Sequence, residues 1–124
     1  LVKRISQLTG YSDRVTVKGI DGAICIQEYS QDKEAFAFID PPYTASKKSP
    51  GSRLYDFSEI NHEELFDVTM SFQGRFLMTY ELDDNIKKLT EKHNLVLGSI
   101  PMKGTTNRVK KEALISRDMS WRTE

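Results

Sequence analysis

The chain carries one cysteine, two histidines and one tryptophan in 124 residues. A lone Cys25 excludes an internal disulfide framework and fits a reducing, cytoplasmic setting, where it reads as a small buried hydrophobe. His62 and His93 stand a whole helix-strand-helix unit apart, with no cysteine or histidine at ligand spacing, so a zinc or iron site has no support; both read as surface residues. No sign of charge is in excess, since Lys plus Arg and Asp plus Glu each total 18. Without an overall basic field, any contact with nucleic acid has to come from local patches. No apolar run approaches the roughly 20 residues a membrane helix needs, and the first residues lack a signal-peptide pattern. Glycine-rich phosphate cradles, nucleophile elbows, Cys-His pairs and internal repeats are missing as well.

What is present suits one α/β domain. At 14.2 kDa and 38% hydrophobic residues the chain is long enough to bury a core. Leu1, Ile5 and Leu8 fall at helical spacing before a stop at Gly10. Residues 14–18 alternate as a strand, and 19–29 turn into a short helix, with Ile20, Ile24 and Ile26 leaving strand pairing open. Residues 35–39 form an uncharged run that reads as a strand buried on both faces. Residues 44–58 gather Ser, Lys, Pro and Gly into a long loop. Asn61 with Glu64 has the spacing of a helix cap, and Leu65, Val68, Thr69 and Phe72 share one face of a helix ended by Gly74. Residues 75–80 are the next strand, Asp83 or Asp84 caps a helix running to His93, and 95–100 return as a strand. This alternation implies a parallel sheet, closed by a strand over 112–116 that is compatible with antiparallel pairing after a basic connection. Residues 118–124 are a polar tail carrying Trp121.

Asp40-Pro41-Pro42-Tyr43 stands directly behind the apolar run and is the main candidate site. In open parallel sheets, ligands gather beyond the carboxyl ends of the strands. Two prolines remove two backbone donors and fix φ, leaving the carbonyls of Asp40 and Pro41 as acceptors in a stiff turn. An exocyclic amino group on a nucleobase is a poor nucleophile because its lone pair is delocalised into the ring. A methyl-transfer site must therefore hold both N–H bonds and leave the lone pair facing the donor. The Asp40 carboxylate and a prolyl-segment carbonyl supply two acceptors, and Tyr43 supplies a face on which an extruded base can stack. The plainer alternative is a chain reversal with Asp40 as its turn residue.

The run Phe38-Ile39-Asp40-Pro41-Pro42-Tyr43 resembles the catalytic motif of amino-methyltransferases, and its surroundings are similar to the DNA adenine methylase family. The similarity continues through Leu54-Tyr55 with Phe57, Asn61 to Leu65, Arg75 to Tyr80 and Lys111 to Ser116, and upstream through Val17 to Gly22. It spans nearly the whole chain and corresponds to the C-terminal, target-base portion of such an enzyme. The glycine-rich turn that holds the methionine part of S-adenosylmethionine in this family, and the acid for its ribose, do not occur in the sequence. Arg117 takes the place of a usual asparagine. The resemblance implies a Rossmann-like class I methyltransferase sheet whose N-terminal part is missing. It implies catalytic Asp40, Pro41, Pro42 and Tyr43, donor contacts from Asp21, Gly22 and Asp40, and adenine in DNA as the methyl acceptor. It leaves a rival: a catalytically silent fragment, or a non-enzymatic subunit that needs a partner chain to bind the donor.

Lys47, Lys48 and Arg53 follow the tetrapeptide closely, where cations can clamp phosphates beside an extruded nucleotide, and Tyr55 adds a second aromatic surface. A solvated loop explains them equally well. Lys103, Arg108, Lys110 and Lys111 read as a solvated hairpin, since no aromatic residue is interleaved with them. Asp32, Glu34, Glu63, Glu64, Asp83 and Asp84 read as caps and solvated faces.

Overall fold

The computed structural model describes residues 6, 8–42, 60–103 and 109–121. Residues 8–14 wind into a 3-10 helix, Leu8–Arg14, which runs through Gly10 rather than stopping there. Helices α1 (Gly22–Glu28), α2 (His62–Ser71) and α3 (Asp84–Lys92) alternate with strands β1 (Phe36–Ile39), β2 (Arg75–Glu81), β3 (Val96–Lys103) and β4 (Val109–Ser116). Each helix starts on a side chain that takes up an otherwise unpartnered backbone N–H. Asp21 accepts from Ala23 N at 2.7 Å, Asn61 from Glu64 N at 3.2 Å, and Asp83 from Ile86 N at 2.8 Å.

The four strands form one mixed sheet in the order β1-β2-β4-β3. β1 and β2 are parallel, whereas β4 pairs antiparallel with both β2 and β3. β1, β2 and β3 therefore point one way, and β4 is wedged between β2 and β3 against them. The expected closing strand is antiparallel, and it lies between β2 and β3, so β2 and β3 are not direct neighbours in the sheet. The 109–116 strand follows β3 through a short connection, which suits antiparallel pairing, whereas a parallel neighbour needs a long crossover.

Register decides which side chains meet. Ile39 pairs with Met78, and Met78 with Ile115, so alternate residues of the three strands line one face. Phe76, Met78, Tyr80, Ala113 and Ile115 join Leu65 and Phe66 of α2, Ile86 of α3 and Ile26 of α1 in one buried cluster. Phe36 and Phe38 point to the other face and remain 60% and 62% exposed. The expectation that 35–39 is buried on both sides is corrected: an apolar run reports affinity for burial, not which face finds a cover. Residues 14–18 form no strand either, and Val15 and Val17 are exposed. An alternating pattern becomes a strand only where a sheet edge pairs with it, and none of the described strands does.

α2 ends at Ser71, with Phe72 as its C-cap, so Gly74 is not the helix stop. Gly74 is instead the entry to β2, buried where segments 30–35 and 72–75 run side by side. Gln73 N donates to Ser30 O at 2.7 Å, and Arg75 N to Ala35 O at 3.1 Å.

Candidate active site

Asp40 emerges one residue beyond β1, at the carboxyl end of a strand with a parallel neighbour. The step after the Ile39–Met78 pair sets Asp40 beside Thr79, on the sheet face turned away from the helices. Thr79 Oγ1 donates to Asp40 Oδ1 at 2.7 Å. Asp40 itself is exposed, Pro41 is buried, and Pro42 is half-buried. The segment is thus anchored by buried Pro41, while Asp40 is exposed and bonded to buried Thr79. Tyr43, Lys47, Lys48, Arg53 and Tyr55 lie outside the described residues.

Asp21 and Gly22 sit at the start of α1, where the Asp21 carboxylate caps the helix. Gly22 lines an open groove of about 360 Å³ with Thr16, Lys18, Ile20, Cys25 and Tyr29. A Cβ added at Gly22 would meet nothing within 4 Å, so that side of the groove is open. Lys18 is ion-paired with Glu28 and lies 5.2 Å from the centre of the Tyr29 ring. Cys25 is a free thiol, half-buried rather than buried. Among the described residues, no group of three or more His, Cys, Asp and Glu side chains is arranged to hold a metal ion. No described helix is long and apolar enough to cross a membrane.

The acidic residues read as caps and solvated faces occupy those roles. Asp32 accepts from Glu34 N, Glu63 pairs with Lys92 across α2 and α3, and Asp84 pairs with Lys87. Of the second basic cluster, Lys111 is exposed and its carbonyl accepts from Leu82 N.

The histidines are half-buried rather than plain surface residues. His62 Nδ1 lies 3.1 Å from Tyr80 Oη, with the rings edge-to-face, and His93 packs against Phe66 at 5.6 Å. Polar spacing in the sequence does not reveal this, because each imidazole is folded back by a helix terminus onto aromatic neighbours. The Nε2 atoms of both are buried without a hydrogen-bond partner, and His93 Nε2 stands 3.5 Å from Asp67 Oδ1. Burial drives the His62 pKa below its ordinary value, against a weaker upward pull from Asp83. Burial likewise raises that of Tyr80.

The unfolded chain therefore binds more protons than the folded one once pH falls below about 6.5, the ordinary histidine value. The stability that neutral His62 contributes is complete above that value and is lost as pH drops through the lower folded pKa. Thermal midpoints recorded from pH 7.5 to 5 are expected to fall more steeply for the parent than for His62→Gln. Parallel curves would show that His62 does not titrate on unfolding.

Two further residues carry roles that their sequence context does not disclose. Thr79 sits in a strand rich in apolar and aromatic residues, and only the register with β1 shows that its hydroxyl reaches Asp40. Arg117 donates to the carbonyls of Met70, Phe72 and Gly74 at 3.0, 2.7 and 3.0 Å, and its guanidinium lies 5.0 Å above the centre of the Phe76 ring. It closes the end of α2 at the opposite end of β2 from Asp40. No model of a known protein family and no curated protein matches this chain.

Proposed function

We propose that this chain is the target-base part of an S-adenosylmethionine-dependent methyltransferase that modifies the exocyclic amino group of adenine in DNA. The observation that carries the reading is the Asp40 carboxylate, held by Thr79 at the carboxyl end of β1 with Pro41 buried behind it. A parallel strand that ends in an acid and two prolines, in an α/β mixed sheet, is compatible with a Rossmann-like methyltransferase core. The Asp40 carboxylate and the Pro41 carbonyl each accept one N–H of the base. Tyr43 supplies an aromatic face on which the ring can stack. The amino nitrogen is left with its lone pair facing the donor; an N–CH3 bond would form as the donor's S–CH3 bond breaks and leaves a neutral thioether, after which the nitrogen sheds a proton to solvent.

The groove beside Asp21 tests whether these residues suit the donor. Ile20, Cys25 and Tyr29 give it an apolar and aromatic lining that fits an adenine ring, and Gly22 leaves its side open. The donor supplies an electrophilic methyl group on a sulfonium. Asp21, Gly22 and Asp40 are the residues that would hold it, and the chain has no glycine-rich turn for its methionine part.

A second reading, the silent fragment or partner-dependent subunit, is favoured by Phe36 and Phe38. They leave large apolar surface at the edge strand of the described sheet, next to the candidate site. Calorimetric titration with S-adenosylmethionine, run beside Asp40→Ala, separates the two. Weak heat in the parent that disappears in the variant supports a donor site at Asp40. Equal heats in both proteins remove Asp40 from it, and absence of heat in both favours the partner-dependent form. With half of the donor's polar contacts lacking, affinity is expected to fall by orders of magnitude, so the isolated chain should leave adenine oligonucleotides unlabelled by a methyl-labelled donor.

A further inference from the structure

We infer that Thr79 is the positioning residue of this site, fixing the direction in which Asp40 presents its carboxylate. The inference rests on the reading of Asp40 as the acceptor for the base amino group. Thr79 is only 5% exposed and lies in β2, which is paired on both sides, with β1 and with β4. Packing alone gives no reason for a hydroxyl there. Valine has nearly the same shape and favours strands as strongly, and a buried hydroxyl is costly unless it is bonded.

The hydroxyl gives its single proton to Asp40 Oδ1 at 2.7 Å. A β-branched side chain has few χ1 choices, so the direction of that O–H is set by the backbone of a mid-sheet strand. Asp40 is exposed and follows the last residue of β1, and Thr79 holds one of its two carboxylate oxygens. The chain of constraint runs from the sheet to Thr79 χ1 and then to the carboxylate. An acceptor aligned before the substrate arrives has no ordering left to do when it binds.

The test compares the full chain with Thr79→Val and Thr79→Ser, with Thr79→Ala as a substitute if valine lowers the yield of folded protein. Three-bond couplings from Asp40 Cγ to its own backbone nitrogen and carbonyl carbon report χ1 without any ligand. The parent and Thr79→Ser are expected to show one rotamer, and Thr79→Val an average. A single rotamer in folded Thr79→Val and Thr79→Ala overturns the inference. In a parallel titration with S-adenosylmethionine, Thr79→Val is expected to bind roughly five- to tenfold more weakly, with Thr79→Ser restoring affinity. Equal affinities beside an averaged Asp40 also overturn the role. An averaged Asp40 in Thr79→Val, with no donor bound by the parent, upholds the positioning while counting against the methyltransferase reading.

Discussion

Gly74→Ala is expected to lower the thermal midpoint by on the order of 10 °C or to prevent folding, whereas a methyl at Gly10, Gly19 or Gly22 would meet nothing within 4 Å. The new carbon would run into the carbonyl oxygen of Ala35, and would also stand 2.8 Å from Phe72 Cε1 and 2.9 Å from the carbonyl of Asp32. Two of these three obstacles are backbone. The Ala35 carbonyl also accepts from Arg75 N, one step before the first β1–β2 pair, so moving it disturbs the ladder that carries Asp40. The penalty is about 3 kcal/mol or more, a large share of the roughly 5–15 kcal/mol that holds a domain folded. Calorimetric melting checks it, and a midpoint within about 2 °C of the parent would show that the two segments separate easily.

Arg117→Met is expected to cost about 2–3 kcal/mol. The substitution keeps an apolar stem over Phe76 but removes three donors from the carbonyls of Met70, Phe72 and Gly74. Those carbonyls lie at or beyond the end of α2, where intrahelical partners run out and a positive charge also meets the negative end of the helix dipole. Part of the side chain is exposed, which keeps the cost below the sum of three buried charged bonds. Because Arg117 sits at the far end of β2 from Asp40, donor binding per folded molecule should be unaltered. Urea unfolding followed by circular dichroism measures the loss. A midpoint equal to the parent's would mean that water replaces the guanidinium at no cost.

The parts of the fold legible in the sequence are those governed by neighbours along the chain. Asn61 and Asp83 announce their helices because capping needs only a side chain and an N–H three residues on. Residues 75–80 are legible as β2 because a strand-favouring composition is a local property. Gly74 could not be read for what it does, since its constraint comes from Ala35 and Asp32, about forty residues away in sequence. Phe36 and Phe38 misled for the opposite reason: their composition speaks for burial, while the register puts them on the face that α1, α2 and α3 leave uncovered. At the candidate site, the Asp40-Pro41-Pro42-Tyr43 motif is visible in the sequence. Thr79 is not, because a threonine in a strand looks like any β-branched residue until its neighbour across the sheet is known.

In the proposed function, Asp21, Gly22 and Asp40 belong to one donor site. Titration of isotope-labelled protein with S-adenosylmethionine at millimolar concentration, followed by amide chemical shifts, tests it at residue resolution even where binding is weak. The amides of Asp21, Gly22 and Asp40 are expected to shift together along one binding curve, and Asp40→Ala to weaken the whole set. Shifts confined to residues away from Asp21, Gly22 and Asp40, or a response at Asp21 and Gly22 that ignores the loss of Asp40, would contradict it.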